Sequence, residues 1–226
     1  MAIQEGKKAA GRKAAELIQN GQIVGLGTGS TAACFIDNLI LRCKQGLQIE
    51  AVASSSASAE QARRGQLKIL DINEVSHIDI TVDGADEIDA KKRMVKGGGG
   101  AHVREKILAS YSREVVIIVD ETKVVDAIGH AKVPVEILRY GSLATGKKLE
   151  ELGYRGHWRK NKDNSLFITE NGNCLFDIAF SSPLLSPEKD HEKIIHIPGV
   201  IDTGFFFGYA GRVIIGYSDG STKTLQ

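Results

Sequence analysis

The sequence predicts an α/β fold, a doubly wound and mostly parallel sheet, joined to a second, smaller α+β domain. Three observations predict it. Short apolar segments of strand type alternate with helical ones through about the first 130 residues. Val115-Val116-Ile117-Ile118-Val119 is an almost purely β-branched run, the mark of a strand covered on both faces of a parallel sheet. Beyond about residue 130 several strand-like segments cluster around an Asn171-Gly172-Asn173 turn signal with two helices, close to a split β-α-β pattern.

Taken in order, residues 5–20 read as a helix through Ala10, Ala14, Leu17 and Ile18, with a stop at Gly21. Residues 23–26 follow as a strand, then a Gly/Thr/Ser loop and a helix over about 31–44 closed by Gly46. Residues 49–53 read as strand, 57–64 as helix, and 67–72 and 78–82 as strands, and a helix runs from the Gly97–Gly100 run to about residue 112. In the later part, strands are expected over 133–138, 154–159, 165–169, 174–179 and 200–207, and helices over 142–152 and 187–194. The segment 212–217 and the Asp219-Gly220 turn predict a terminal strand pair returning to the first domain. The domains are thus drawn as 1–130, 131–207 and a returning 208–226.

Apolar residues make up 42% of the 226 and charged residues 25%, an ordinary globular balance. Net charge is only +1, and no Lys/Arg run is long enough to track a phosphate backbone, which argues against bulk nucleic-acid binding. Cys34, Cys43 and Cys174 lack Cys-x-x-Cys spacing and read as reduced, packed thiols. The start, from Met1 to Lys8, has no apolar h-region, and about 18 apolar residues never run together. The expectation is a cytoplasmic protein that meets no membrane.

Three loops could carry chemistry. Gly25-Leu26-Gly27-Thr28-Gly29-Ser30-Thr31 leaves a strand and opens a helix, where free N–H groups and the helix dipole attract an anion such as phosphate. Ser30 stands where a dinucleotide fingerprint needs glycine, and the Gly-Lys-Ser/Thr of a P-loop is absent. The hydroxyls of Thr28, Ser30 and Thr31 suit a small polar ligand, although a purely structural turn with Thr31 as N-cap explains the loop equally simply. Asp83-Gly84-Ala85-Asp86-Glu87-Ile88-Asp89 follows a strand, where ligands gather in open parallel sheets. It lacks the order of a calcium loop and has no histidine cluster, so no metal is expected. Asp83 and Asp86 are candidates for moving hydroxyl protons, against the alternative that one of them caps a helix.

The third loop, Lys96-Gly97-Gly98-Gly99-Gly100, lets backbone approach a ligand before a helix begins. On a helical wheel Val103, Ile107, Leu108 and Tyr111 share one side while Glu105 points away, with Ala101 and Ala109 rather than cations at i±4. Glu105 is then either a functional acid or a solvated complement to the helix dipole. His102 has no evident partner and is left outside the site.

Together, residues 25–31, 83–87, 96–99 and Arg104-Glu105-Lys106 resemble ribose-5-phosphate isomerase of the A type in order and spacing. The likeness extends to Asp120-Glu121-Thr122-Lys123, Asn171-Gly172-Asn173 and Ile197-Pro198-Gly199-Val200, nearly the whole chain. It implies a Rossmann-like domain plus a smaller, ferredoxin-like α+β domain, a cytoplasmic homodimer or dimer of dimers, and metal-free, cofactor-free interconversion of D-ribose 5-phosphate and D-ribulose 5-phosphate. It further implies Glu105 as general base, Asp83, Asp86 and Lys96 as its catalytic companions, and Thr28, Gly29, Ser30, Thr31, Gly84, Ala85, Gly97, Gly98, Gly99 and Lys123 as substrate contacts. The chain departs from the family pattern at Gly100, where alanine is more usual, and at Arg139-Tyr140, where a proline often ends the strand. A sugar-phosphate deaminase or lactonase, and a non-catalytic sugar-phosphate sensor, are the alternative readings.

Overall fold

The computed structural model describes residues 2–181 and 183–226. Met1, the first residue of the N-terminal stretch read above, and Ser182 lie outside them. The chain begins with α1 (Ala2–Ala15), β1 (Ile23–Leu26), α2 (Ser30–Lys44), β2 (Glu50–Ala53), α3 (Ser56–Arg64), β3 (Lys68–Ile69) and β4 (Ile78–Asp83). Two short strands follow, β5 (Glu87–Ile88) and β6 (Met94–Val95), and then α4 (His102–Ser110) and β7 (Ser112–Asp120). The later elements are β8 (Val133–Ile137), α5 (Ser142–Glu151), β9 (Gly156–Trp158), β10 (Cys174–Ile178), α6 (Pro187–Ile195), β11 (Val200–Thr203) and β12 (Phe205–Phe206). The chain ends with β13 (Arg212–Gly216) and β14 (Thr222–Leu225).

The chain forms two compact units. One holds residues up to Ala85, Arg104–Val124 and everything from Tyr209 onward; the other holds Asp86–Val103 and Val125–Gly208. Residues 86–103, which a single cut near residue 130 leaves in the first domain, pack with the second unit.

The first unit contains a seven-stranded sheet in the order β14-β13-β7-β4-β1-β2-β3, parallel except for the β13–β14 hairpin. On one face α1 and α2 bury Ala10, Ala14, Phe35, Ile36 and Leu39 against Leu26, Val82, Val116, Ile118 and Ile214. On the other, Leu108 of α4 packs with Val52, Val75 and Ile78. Burial on both faces explains the unbroken apolar run of β7. Strand order reverses between β1 and β4, so the loops leaving these two strands lie side by side at the point where doubly wound folds bind ligands.

Helix α1 stops at Ala15 rather than near residue 20, because the Arg42 guanidinium takes the carbonyls of Ala15 and, at 2.8 Å, Ile18. The strand expected over 67–72 shrinks to Lys68–Ile69.

In the second unit β11-β8-β10-β9 form an antiparallel sheet, with Val135, Ile137, Phe176 and Ile178 packed on Leu149 of α5 and Ile194 of α6. Residues 165–169 do not form a strand; they contribute only the isolated bridges Lys160–Leu166 and Ile168–Cys174. The strand expected over 200–207 breaks at Gly204, whose added Cβ would stand 2.4 Å from the Lys96 carbonyl oxygen. Its second half, β12, pairs instead with β6 in a small three-stranded sheet. At Arg139-Tyr140 the chain leaves β8 without a proline, and Gly141 at φ 70° makes the turn into α5.

Asp79 of β4 ties the base of the sheet, accepting the Ile23 N–H at 2.9 Å and the Arg113 guanidinium at 2.8 Å, with His77 Nε2 at 3.1 Å. Burial pushes its carboxyl up, but the Ile23 N–H, His77 and Arg113 outweigh that and hold it below its ordinary value. A carboxyl lowered on folding stabilises the protein above the unfolded value of about 3.9 and loses that effect as pH falls through the folded value. Asp79→Asn is therefore expected to lower stability at neutral pH, with the deficit shrinking between about pH 5 and 2. Urea denaturation across pH checks this, and a deficit independent of pH contradicts it.

Candidate active site

In the first unit the candidate site is built on the ends of β1 and β4. Asp83, only 2% exposed, turns its Oδ1 to the N–H groups of Thr28 (3.1 Å) and Gly84 (2.7 Å). The carboxylate fits there because residue 27 is glycine: a Cβ on Gly27 would lie 2.1 Å from Asp83 Oδ1 and 2.6 Å from its Cα. Gly29, at φ 108° with open space around it, is the N-cap of α2. No side chain caps this helix and no acid occupies its first turn, so its leading N–H groups and positive dipole end face outward without a built-in anion. Thr31 lies inside the helix and is not the N-cap, which removes the purely structural account of the loop as read from the sequence.

The structure adds residues that sequence reasoning missed. Lys7 of α1 donates to Ser30 Oγ at 2.9 Å, placing a cation on the loop. Beneath it, the Thr28 hydroxyl lies 2.7 Å from Ser54 Oγ and donates to Ser55 Oγ at 2.9 Å, while Ser58 Oγ donates to the Gly27 carbonyl at 2.6 Å. The run Ser54-Ser55-Ser56 at the carboxyl end of β2 was a usable signal, since that edge of the sheet is where ligands gather. Lys7 gave none, because only the packing of α1 on α2 brings it there.

Glu105 occupies the first turn of α4 and is 4% exposed. The wheel reading is corrected here: Ile107 and Tyr111, expected on the apolar side, are 48% and 42% exposed, while Leu108 and the acid are buried. A solvated complement to the helix dipole does not describe such a carboxylate. At the end of β7, buried Asp120 accepts the Thr122 N–H at 3.1 Å and the Thr122 hydroxyl, starting the short 3₁₀ turn over Glu121–Lys123 that ends in half-buried Lys123.

In the second unit the remaining acids each hold backbone. Asp86 Oδ2 accepts the Gly98 N–H at 2.8 Å. Glu87, buried, accepts the N–H groups of Gly129 at 2.7 Å and of Ala131. Asp89 takes the N–H groups of Lys91 and Arg93 at 2.9 Å and pairs with Arg93 Nε at 2.6 Å. Among the described residues no cluster of His, Cys, Asp and Glu is arranged to hold a metal ion.

Lys96 is 3% exposed, with its ammonium 5.3 Å from the Phe206 ring centroid. Gly97 (φ 101°) is enclosed by Pro134 and His102, whereas Gly98 and Gly99 are exposed. His102 is itself fully buried, with Nε2 3.5 Å from the Asp202 carbonyl, a packed core residue. Gly84 and Ala85 are half-buried where the chain passes out of the first unit.

A family model described as ribose 5-phosphate isomerase A (phosphoriboisomerase A) matches residues 50–220. The ribose-5-phosphate isomerase A of Protochlamydia amoebophila is 49% identical over 219 residues, 97% of this chain and 94% of that protein. The Lactococcus lactis subsp. cremoris (strain MG1363) protein of the same name is 41% identical over 95% of this chain and 96% of its own length. Among solved structures, ribose 5-phosphate isomerase from Plasmodium falciparum has a TM-score of 0.94 at 32% identity, covering 100% of this chain and 99% of its own. A D-ribose-5-phosphate isomerase in complex with phospho-erythronic acid has a TM-score of 0.94 at 33% identity, with both chains fully covered at 100%.

The two loop glycines separate backbone strain from steric exclusion. Gly29→Ala meets no atom and is expected to cost about 1–2 kcal/mol for its left-handed conformation. Gly27→Ala drives the Asp83 carboxylate off its N–H partners and is expected to cost more, with urea midpoints of the two variants giving the order. Equal midpoints contradict the role assigned to Gly27.

Proposed function

The chain belongs to the ribose 5-phosphate isomerase A family, and we propose that it interconverts D-ribose 5-phosphate and D-ribulose 5-phosphate through an enediolate, with Glu105 as the general base. The observation that carries this reading is the burial of Glu105 at 4% exposure in the first turn of α4. A carboxylate kept from bulk water is suited to taking a weakly acidic proton beside a carbonyl.

The phosphate binds the uncapped start of α2, where the N–H groups, the Ser30 and Thr31 hydroxyls and the Lys7 ammonium favour a dianion. Asp83 and Asp86 exchange protons with the sugar hydroxyls and assist ring opening. Glu105 then removes the C2 proton of the open-chain aldose. The electron pair moves to form the C1–C2 double bond, and charge develops on O1. Lys96 and Lys123 stabilise that oxygen, with Gly97, Gly98 and Gly99 bringing backbone close to the reacting carbons. Glu105 returns the proton to C1 while the O2 proton passes by way of an aspartate to O1, giving the ketose with no net gain or loss of protons. No metal or cofactor enters this scheme. The same reading makes the protein a cytoplasmic homodimer or dimer of dimers in the non-oxidative pentose phosphate pathway. Among the described residues no helix is long and apolar enough to cross a membrane.

Ribose 5-phosphate added to the protein in the presence of a chelator is expected to yield a ketopentose phosphate; no ketose product sinks the reading. Glu105→Gln is expected to keep fold and substrate affinity and lose about 10²–10⁴ in kcat, the usual worth of a general base. Near-normal kcat removes Glu105 from the role. Lys7→Met is expected to raise KM with kcat little changed, the mark of lost uniform binding. An unchanged KM excludes Lys7 from phosphate binding.

A further inference from the structure

Arg159 follows β9 and is held in the second unit by its own backbone, its N–H donating to the Leu175 carbonyl at 2.9 Å. One edge of its guanidinium is occupied by Asp177 of β10, with Nε to Oδ2 at 2.9 Å and Nη2 to Oδ1 at 2.5 Å. Asp177 is 5% exposed, so this fork-to-fork pair is largely desolvated and geometrically fixed. The remaining nitrogen, Nη1, donates to two successive carbonyls of the glycine run, Gly97 at 2.9 Å and Gly98 at 3.1 Å. The Phe167 ring lies beside the guanidinium, 5.8 Å from ring centroid to Cζ.

A planar trans peptide points its N–H away from its C=O. With the Gly97 carbonyl on Arg159, the Gly98 N–H must point to the opposite side, and there it meets Asp86 Oδ2 at 2.8 Å. The next peptide repeats the geometry. Its carbonyl, that of Gly98, is also on Arg159, so the Gly99 N–H points to the side where the Asp86 carboxylate lies. Two consecutive N–H groups on one side form a concavity suited to negative charge. A buried ion pair that served stability alone would need only Asp177; the second edge of this guanidinium spends itself on orienting loop peptides.

We propose that Arg159, locked by Asp177, is a positioning residue that sets the peptide planes of Gly97-Gly98-Gly99, aiming the Gly99 N–H at the reacting end of the sugar phosphate. The inference rests on the isomerase reading above. It also assigns a use to Gly100: a Cβ there would stand 2.8 Å from Phe167 Cε1 and Cζ, so glycine at this position admits the ring that lies beside Arg159.

The test uses the intact enzyme with two probes, phospho-erythronic acid, which carries both a phosphate and an acidic reacting end, and inorganic phosphate, which carries only the first. Arg159→Met is expected to lose about 10²-fold in kcat/KM, the usual cost of a misplaced reacting group. By calorimetry it is expected to bind phospho-erythronic acid at least tenfold more weakly while inorganic phosphate binds as in the wild type. Arg159→Lys, which cannot serve both edges, is expected to recover only part of the loss. If Arg159→Met fails to fold, Arg159→Met with Asp177→Asn removes the orphaned buried charge and carries the same measurement. Unchanged affinity for phospho-erythronic acid, or an equal loss for both probes, overturns the assignment. A wild-type enzyme that does not turn over ribose 5-phosphate overturns the isomerase reading, and this inference falls with it.

Discussion

The Asp83 carboxylate is the constraint on which the first unit's loops depend. Its Oδ1 accepts backbone N–H groups from two loops at once, Thr28 after β1 and Gly84 after β4. Such bonds to a charged acceptor are about twice as strong as neutral ones, and Asp83 is buried where water does not compete. The arrangement exists only because Gly27 presents no Cβ to the carboxylate. With Gly27 and Thr28 held, Gly29 makes the left-handed step into α2, and the helix starts without a side-chain cap. The exposed dipole end is thus a consequence of how the loop is pinned from below.

The same economy explains why four acids crowd into residues 83–89. Asp86 and Glu87 also spend their oxygens on backbone N–H groups, those of Gly98 and of Gly129 and Ala131, and Asp89 adds an ion pair with Arg93 to its own backbone bonds. Sequence reading treats acids as solvated charges, caps, ligands or proton carriers. Here they staple irregular chain that forms no long strands by holding its backbone N–H groups, the buried one of Gly129 among them.

Much of the fold was legible because most of the first unit's main strands and helices obey one periodicity rule. Strand-type runs at 23–26, 49–53 and 115–119 and the helical stretch at 31–44 all fall on observed elements, since a parallel sheet covered on both faces needs continuous apolar runs between amphipathic helices. The same rule locates the loops after β1 and β4. It fails where tertiary contacts replace periodicity. Strands of two residues, such as β5, β6 and β12, are too short to show a period, so their sheet was invisible. Residues 165–169 carry the β-prone run Leu166-Phe167-Ile168 but make only isolated bridges. Helical periodicity points Glu105 away from the core because it puts Ile107 and Tyr111 on the apolar side, yet both stay exposed. A nine-residue helix packed through Leu108 and Ala109 leaves room for a buried acid at its first turn.

The glycine run is the clearest case of composition misleading about mechanics. A glycine run suggests flexibility, since glycine loses the most freedom on folding. Here Gly97 and Gly100 occupy left-handed conformations, at φ 101° and 81°, and a Cβ on either would collide with Pro134 and His102 or with Phe167. The Gly100 N–H closes a turn on the Gly97 carbonyl at 2.9 Å, Asp86 holds Gly98 from one side and Arg159 holds two carbonyls from the other. Glycine at these positions fits the shape of this loop, and the entropy lost in ordering it is offset by charge-assisted bonds on both sides. At Gly100 the space a methyl would take is filled by the Phe167 ring, which lies beside the arginine that holds the Gly97 and Gly98 carbonyls.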